Sequence, residues 1–299
     1  MSRQVKNIIN ISVFLICIAL INIAGQNIEL EIRGVNAFTF ILFVAVMLQV
    51  VFFIPSFLLK TEKYYDLVGS LTYIATASLA YFSVENKTMI DSIIYFYVMI
   101  WASRLGIYLF RRVRKDGKDV RFEKAKMQFF WFLQYWIGQA LWVSLTACAA
   151  IIAILSPEED TLPALAIAGM TLWITGFCIE SISDYQKRVF RENNNPNEAF
   201  IHTGLWARSR HPNYFGEITL WTGIAVIAFN TFSGVEYITL ISPVFVYILL
   251  TRMSGVNLLE RIADERYGNL EEYQRYKRNT PVLVPKLSKD KKIRNIKSN

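Results

Sequence analysis

The sequence is poor in the residues that build metal centres and charged surfaces. Its 299 residues include three cysteines and two histidines, and only 19% of them are charged. The cysteines Cys17, Cys148 and Cys178 all lie in apolar stretches and have no paired spacing. A zinc site needs clustered Cys and His ligands, so this pattern argues against one. We expect the thiols to act as small buried apolar groups.

The common motifs for nucleotide binding and hydrolysis are also missing. The chain has no G-x-G-x-x-G after a strand, no G-x-x-x-x-G-K-[ST] and no lipase-type G-x-S-x-G. Any nucleotide cofactor would therefore be held between helices by side chains, and not on a Rossmann turn.

Hydrophobic residues, in contrast, make up 54% of the chain and are concentrated in long blocks. A helix needs about 20 mostly apolar residues to cross a bilayer. Eight stretches come near that length: Ile8–Ala24, Ala37–Leu59, Leu67–Val84, Met89–Phe110, Phe129–Leu155, Leu162–Glu180, Ile218–Phe232 and Tyr237–Met253. The sequence therefore predicts an all-α protein, a polytopic membrane helix bundle with about 7–8 transmembrane helices.

The first apolar stretch has an alternative interpretation as a secretory signal, because Arg3 and Lys6 precede it. No clear small-x-small cleavage site follows, however, and Asn10 and Asn22 interrupt the run. We expect this stretch to be retained as a helix.

Basic residues occur in alternate loops, as the positive-inside rule requires. They follow the second, fourth and sixth stretches: Lys60 and Lys63; Arg111, Arg112, Arg114, Lys115, Lys118, Arg121, Lys124 and Lys126; then Lys187, Arg188, Arg191, Arg208 and Arg210. We therefore expect both termini, and an active site, on the cytoplasmic side. The net charge of +8 therefore does not indicate nucleic acid, and we expect the basic tail after Pro285 to be a solvated cytoplasmic end near anionic lipid.

The first group of candidate functional residues lies at the cytoplasmic end of the sixth stretch. Glu180 and Asp184 are four residues apart and share one face of a helix. A charged residue inside a bilayer costs about 2.5–3.5 kcal/mol even on the lenient insertion scale. One interpretation pairs Asp184 with Arg188 and lets Glu180 reach water. The other is an acidic pair that binds ribose hydroxyls or an amide.

The second group runs from His202 to Glu217 and predicts a turn followed by a helix start. Pro212 suits the first helical position, and Asn213 and Glu217 then lie on one face. Arg208 and Arg210 beside a helix N-terminus favour an anion site. An ordinary positive-inside loop would explain the arginines but not Glu217.

Two weaker groups complete the candidates. From Glu260 the pattern predicts an amphipathic helix, a break at Gly268 and a second short helix carrying Tyr273 and Tyr276. This segment is either a surface helix at the membrane interface or a cap over a cofactor. In the fourth stretch, Arg104 with the nearby Tyr108 either faces a polar cavity or extends to the interface. Both alternatives are known for intramembrane arginines.

The longest of these motifs, Gly204-Leu205-Trp206 followed by Arg210-His211-Pro212-Asn213-Tyr214-Phe215-Gly216-Glu217 and Trp221, resembles the C-terminal signature of the steroid 5-alpha-reductase superfamily. It is most similar to the bacterial-type branch called DUF1295. Further matches are Trp101-Ala102-Ser103-Arg104-Leu105-Gly106, Glu180 with Asp184-Tyr185-Gln186, and Ser254-Gly255 with Glu260. The resemblance covers roughly 66–285. It implies a helical membrane protein that reduces carbon–carbon double bonds with NADPH.

The resemblance also implies cofactor contacts at Glu180, Asp184, Arg191, Asn213 and Glu217. Together with the patterns above, the full candidate set for NADPH binding is Arg104, Tyr108, Glu180, Asp184, Arg191, Arg208, Arg210, His211, Asn213, Tyr214, Glu217 and Glu260. The implied partners are a hydrophobic small molecule that enters from the bilayer, and membrane lipid. We predict three regions: N-terminal transmembrane helices (1–60), the DUF1295-like membrane domain (61–285) and a basic cytoplasmic tail (286–299).

No catalytic residue is assigned, because this chain departs from its steroid-reducing relatives at one position. Those relatives use a tyrosine, assisted by a glutamate, to polarise an enone carbonyl. Trp101 occupies the tyrosine position here, and an indole is not a useful proton donor. Tyr95 and Tyr97 lie nearby in the sequence, but their spacing selects neither.

Two other functions compete with the reductase. Membrane methyltransferases of the isoprenylcysteine carboxyl type share an Arg-His-Pro-x-Tyr turn and a later Glu followed by paired tyrosines, as at Glu260, Tyr273 and Tyr276. They bind S-adenosylmethionine (SAM) instead of NADPH. A non-catalytic scaffold or sterol-binding protein with a degenerate site is the third possibility.

Overall fold

The computed structural model describes residues 2–117, 119–156, 162–194, 199–253 and 255–286. Over these ranges the chain forms ten α-helices: α1 (Arg3–Ile21), α2 (Ala37–Leu58), α3 (Tyr65–Ser83), α4 (Met89–Asp116), α5 (Phe129–Leu155), α6 (Ala164–Asn193), α7 (Pro212–Ala228), α8 (Ile241–Ile248), α9 (Val256–Tyr267) and α10 (Glu271–Asn279). The strands within the same ranges are β1 (Glu31–Ile32) and β2 (Val35–Asn36), an antiparallel pair. The all-α prediction is confirmed.

Six segments of the described chain are long and apolar enough to cross a membrane: Arg3–Gly25, Ala37–Leu58, Met89–Lys115, Phe129–Leu155, Ala164–Asn193 and Gly234–Tyr267. The protein is therefore a polytopic membrane helix bundle. The predicted spans that became α3 and α7 form helices of 19 and 17 residues and are not among these six. The first apolar stretch forms the helix α1, and its retention stays a prediction.

Helix ends follow recognisable side-chain caps. The Thr88 hydroxyl accepts from the backbone N–H of Asp91 at 3.2 Å, and the Asp91 carboxylate accepts from Thr88 N–H at 2.8 Å. This capping box starts α4, and Gly117 ends it in the left-handed conformation (φ 77°).

The helix α6 continues to Asn193, well past its predicted end at Glu180. Its last turn contains Arg191, whose charge complements the helix dipole.

The chain divides into two compact units. Unit 1 consists of Met1–Gly169 and Ile224–Ser242, and unit 2 consists of Met170–Gly223 and Pro243–Asn299. The boundary therefore falls within α6, α7 and α8. Apart from Lys286, the predicted basic tail lies outside the described residues, as does Ser254.

The core of unit 1 is built around α5. The helices α1, α2 and α3 all pack against α5, and 83% of the most apolar 18 residues of α5 are buried. One cluster of large side chains consists of Phe53, Tyr65, Val68, Phe122, Phe132 and Trp136. The Tyr65 hydroxyl donates to the Tyr135 carbonyl at 2.9 Å, so its polar group is satisfied in this apolar setting.

A cluster of ion pairs in unit 1 fixes the connection between α4 and α5. We call it the loop clamp; it consists of Glu62, Asp66, Arg112, Asp119, Arg121 and Lys126. The buried Glu62 carboxylate lies 2.6 Å from Lys126 Nζ and accepts from the Asp119 N–H at 3.1 Å. These contacts tie the α2–α3 turn to both ends of the loop.

The second half of the loop clamp centres on Arg121. Its Nη2 lies 2.6 Å from Asp119 and 3.5 Å from Asp66, and Arg112 also reaches Asp66 at 3.4 Å. Burial alone would raise the pKa of the Asp119 carboxyl, but hydrogen bonds and the charge of Arg121 outweigh it, and the pKa falls below its usual value. Asp119 thus stays ionised at neutral pH.

Candidate functional site

The helices α6 and α7 touch at their backbones within unit 2. A Cβ added to Gly216 would lie 2.6 Å from both the Glu180 nitrogen and the Gly176 carbonyl oxygen. A Cβ on Gly176 would lie 2.5 Å from the Leu220 nitrogen. Only glycine allows this approach, and it places Glu180 against the backbone beside Glu217.

Three carboxylates are buried along this contact. Glu180, Asp184 and Glu217 are 2%, 5% and 8% exposed. Glu180 is therefore not exposed to solvent, in contrast to the interpretation in which it reaches water. Asn213 lies one turn before Glu217 on α7 and is half-buried. Charged groups in a membrane protein are costly to bury, so such a concentration marks a candidate site.

The loop before α7 is held against α6 next to Asp184. Gly204 has φ +62°, and a side chain there would also meet the Gln186 amide at 2.5 Å. Gln186 accepts from the Leu205 N–H at 2.9 Å, and Trp206 Nε1 donates to the Ser183 carbonyl at 3.1 Å. The loop is thereby fixed against the polar face of α6.

The residues just before α7 are also bonded to the C-terminal segment 281–286. The contacts are Arg210 N–H to Pro281 O (2.9 Å), His211 N–H to Val282 O (3.0 Å), Ser209 Oγ to Leu283 O (2.7 Å) and Lys286 N–H to Arg208 O (3.0 Å). The backbone N–H groups of Arg210 and His211 are therefore occupied by the C-terminal segment.

Glu260 on α9 joins the two side chains that precede Pro212. Its carboxylate forms an ion pair with Arg210, and its other oxygen lies 2.9 Å from His211 Nε2. Lys277 on α10 is 3.8 Å from Glu260 and 2.5 Å from Asp264. We call Arg210, His211, Glu260, Asp264 and Lys277 the Glu260 cluster.

The histidine of the Glu260 cluster is neutral near pH 7. Burial lowers the pKa of His211, as do the charges of Lys187 and Arg210, while the hydrogen bond and charge of Glu260 raise it in part. The ring also stacks on Tyr214, with centroids 5.5 Å apart and planes 8° apart. Arg210 and Lys277 therefore supply the positive charge of the cluster.

The tyrosines that follow Glu260 belong to a small apolar core. Tyr267, Tyr273 and Tyr276 pack with Phe200, and the Tyr276 hydroxyl donates to the Trp206 carbonyl at 2.7 Å. Burial raises the pKa of Tyr276 above its usual value. The predicted helix, break and short helix are confirmed as α9, a turn at Gly268 and α10. Packing within unit 2 accounts for these tyrosines.

The remaining candidates lie on other segments of the chain. Arg191 is exposed in the last turn of α6, and Arg208 is half-buried in the loop. Arg104 and Tyr108 lie one turn apart on α4, in unit 1. Trp101 is buried on the same helix and packs edge-to-face on the Tyr73 ring at 5.0 Å.

Two residues of the site were not anticipated from the sequence. Lys277 joins Glu260 and Asp264 only because α9 and α10 fold back on each other, and Phe200 reaches the tyrosines from a distant loop. The signal available for Lys277 was its position one turn after Tyr273, on the same face of α10. Among the described residues, no group of three or more His, Cys, Asp or Glu side chains is arranged to hold a metal ion.

Comparison with known proteins adds two matches. A family model described as "Protein of unknown function (DUF1295)" matches residues 52–280. The chain is similar to "Uncharacterized protein C594.04c" of Schizosaccharomyces pombe (strain 972 / ATCC 24843), at 23% identity over 226 residues. That match covers 66% of this chain and 63% of the yeast protein. No solved structure matches the chain.

Proposed function

Because the chain belongs to the DUF1295 family, which is steroid 5-alpha-reductase-like, we propose that it is an NADPH-dependent membrane oxidoreductase. Its substrate would be a lipid-soluble molecule with an activated carbon–carbon double bond, such as an enone-like steroid or sterol, that enters from the bilayer. The products would be NADP⁺ and the saturated compound.

The observation that carries this proposal is the set of buried carboxylates Glu180, Asp184 and Glu217 at the α6–α7 contact. Carboxylates accept hydrogen bonds from ribose hydroxyls and from a carboxamide N–H, and Asn213 can both donate and accept. These four side chains would hold the sugar and nicotinamide parts of the cofactor.

The basic side chains of unit 2 fit the phosphate groups. Arg191 and Arg208 are accessible enough to bind phosphate oxygens. Arg210 Nε is buried and has no hydrogen-bond partner within the part of the chain that the structure describes. A buried donor of this kind is unfavourable unless a ligand completes it. The residues present therefore suit a dinucleotide phosphate.

The chemistry divides between the cofactor and the protein. When bound, the nicotinamide supplies a hydride to one carbon of the substrate double bond, and a proton from water or an unassigned acid completes the neighbouring carbon. The chain would bind and orient the cofactor. The candidates Arg104 and Tyr108, on α4, stay predictions from the family resemblance, and Tyr214 would support His211 by stacking.

A methyltransferase is the second candidate. The structure joins the Arg-His-Pro-x-Tyr turn to the later glutamate through the Arg210–Glu260 pair, and Tyr276 bonds to Trp206 in the loop before that turn. These are the elements shared with the isoprenylcysteine type. They would suit a SAM site, whereas the buried carboxylates of α6 and α7 favour the reductase.

The deciding experiment is a parallel titration of NADPH and SAM on the purified full-length protein in mild detergent. We expect NADPH to bind, and Glu217→Ala or Asn213→Ala to weaken it by at least about tenfold, as expected for a lost hydrogen bond to a charged group. Glu265→Ala, an exposed position on α9, is the matched control. Unchanged NADPH affinity in both variants, or a response to SAM alone, would refute the reductase.

We also propose that the loop before α7 faces the cytoplasm, because the basic residues of this loop follow the positive-inside pattern. Arg275 is half-exposed on α10 and suits labelling. A membrane-impermeant thiol reagent should modify Arg275→Cys in inside-out vesicles and not in right-side-out vesicles. The opposite result would reverse the orientation.

A further inference from the structure

We propose that Glu260 is a positioning residue, which orients Arg210 and His211 for the cofactor and does not itself contact the cofactor. The inference rests on the proposed function and sharpens it, since Glu260 was one of the cofactor-binding candidates. The evidence is the way in which its carboxylate is occupied.

Both carboxylate oxygens of Glu260 are committed to the chain. One forms the ion pair with Arg210, and the other lies 2.9 Å from His211 Nε2. Charge-assisted hydrogen bonds are among the strongest and most directional in proteins. A carboxylate with both oxygens engaged on neighbouring side chains is suited to holding them.

The Arg210 side chain is left with a buried donor. Glu260 bonds to an Nη atom, while Nε has no partner among the described residues. The Arg210 side chain is only 13% exposed, so it has little freedom to reorient. Glu260 thus fixes the guanidinium in one orientation, in which its buried Nε–H has no partner among the described residues.

The backbone of the same residues is held independently. The N–H groups of Arg210 and His211 bond to the carbonyls of Pro281 and Val282 at 2.9 and 3.0 Å. Removing the Glu260 carboxylate therefore frees the two side chains while the loop stays in place. This separation makes a positioning role measurable.

Lys277 balances the charge of the arrangement. It is 3.8 Å from Glu260 and 2.5 Å from Asp264, so two carboxylates face the two cations Arg210 and Lys277. Side chains that bind a ligand commonly depend on neighbouring residues that orient them. In metal sites, loss of such an orienting residue lowers metal affinity or activity by about 10- to 100-fold. We expect a comparable dependence here.

The first test is a double-mutant cycle on NADPH affinity with Glu260→Gln and Arg210→Gln. Glu260→Gln should weaken binding about tenfold, by analogy with other orienting partners. In the Arg210→Gln background its further effect should be smaller, and in the Arg210→Gln/His211→Asn background it should vanish, because Glu260 acts through those two side chains. Fully additive effects would mean that Glu260 touches the cofactor directly, and would overturn the proposal.

The second test needs no cofactor and so separates this proposal from the proposed function. The chain has two histidines, His202 and His211, so selectively ¹⁵N-labelled protein gives two imidazole signals, assigned with His211→Asn. Three charged side chains face His211: Glu260 from α9, Lys187 from α6 and Arg210 from the same loop. The Tyr214 ring stacks on the His211 ring.

Glu260→Gln should lower the pKa of His211 further, since the carboxylate raises it, and should leave the His202 signal unchanged. Glu265→Gln, at an exposed carboxylate on the same helix, should move neither signal. An unchanged His211 titration in folded Glu260→Gln protein would contradict the contact itself. If the titration shifts but the wild type binds no NADPH, the proposed function fails and the contact stands.

Discussion

Unit 1 and unit 2 each tie a loop to helix ends with carboxylates and cations, but the two arrangements have different neighbours. The loop clamp of unit 1 lies beside a large apolar cluster that includes Tyr65 and Phe122. The Glu260 cluster of unit 2 lies beside a helix start and includes a neutral buried histidine, His211, and a buried donor on Arg210.

The difference indicates which charged clusters in a membrane protein are candidates for function. In the loop clamp, cations lie on both sides of Asp66, and Asp119 is engaged by Arg121, so ordering the loop is a sufficient role. In unit 2, further carboxylates are buried where α6 and α7 touch. Ion pairing alone therefore does not mark a candidate site, whereas acidic groups buried at a backbone contact are candidates.

The largest effect should come from filling the α6–α7 contact. Gly216→Leu would force a side chain against backbone atoms 2.6 Å from its Cβ, and we expect a loss of about 3 kcal/mol or more. Size-exclusion profiles and thermal melting in detergent would measure it. Gly138→Leu in unit 1 is the control, since its Cβ would meet only the Phe14 ring, at 3.3 Å. Equal tolerance at both positions would contradict the tight contact.

Breaking the loop clamp should reduce stability without changing cofactor affinity. Glu62→Gln leaves Lys126 without its charged partner at 2.6 Å. We expect a cost of about 2 kcal/mol, below the value for fully buried pairs because Lys126 is 21% exposed. Chemical denaturation and NADPH titration measure the two quantities, with exposed Glu29→Gln as the control. A large loss of affinity in folded protein would remove the distinction between the units.

Acidification should destabilise unit 2 through His211. The pKa of His211 in the folded protein lies below its ordinary value of 6.5. At pH values between the folded pKa and 6.5, the unfolded chain therefore binds more protons than the folded chain. The contribution of neutral His211 to the free energy of unfolding is therefore fully present above pH 6.5. It is lost as the pH falls through the pKa of His211 in the folded protein. The melting temperature should drop from pH 7.5 to pH 5.5, less so in His211→Asn, while His202→Asn keeps the wild-type slope. Identical slopes in all three proteins would rule out this contribution.

The smallest effect should come from an exposed ion pair on α10. Glu271 and Arg275 are 84% and 52% exposed and 3.4 Å apart. Glu271→Gln should change the free energy of unfolding by less than about 0.5 kcal/mol, as is typical of surface pairs. Denaturant titration checks it, and a change as large as that of Glu62→Gln would show that exposure does not separate the two cases.

Much of the fold follows from the sequence, because long apolar runs and helix breaks are local signals. The stretches that became α1, α2, α4 and α5 were predicted near their observed bounds, and so was the break at Gly268. The capping box of Ser233 and Glu236, which starts a 3₁₀ helix at Gly234, carried a usable signal that was missed.

The arrangement of the candidate site was harder to predict. The sequence indicated Arg210, His211 and Glu260 separately, but not that they meet, because 49 or 50 positions separate Glu260 from its partners. The hydrogen bonds that the Pro281 and Val282 carbonyls accept from the same loop are also long-range. Such contacts depend on how helices fold back on one another, which spacing along the chain does not specify. The cofactor roles of the candidate residues stay predictions.

The most direct test of the account is NADPH affinity measured side by side for Glu217→Gln in unit 2 and Glu62→Gln in unit 1. We predict that Glu217→Gln stays folded and binds NADPH at least about tenfold more weakly, as a lost hydrogen bond to a charged group would cause. Glu62→Gln should melt earlier and bind NADPH like the wild type. Wild-type affinity in Glu217→Gln, or equal losses in both variants, would contradict the cofactor site at the α6–α7 contact.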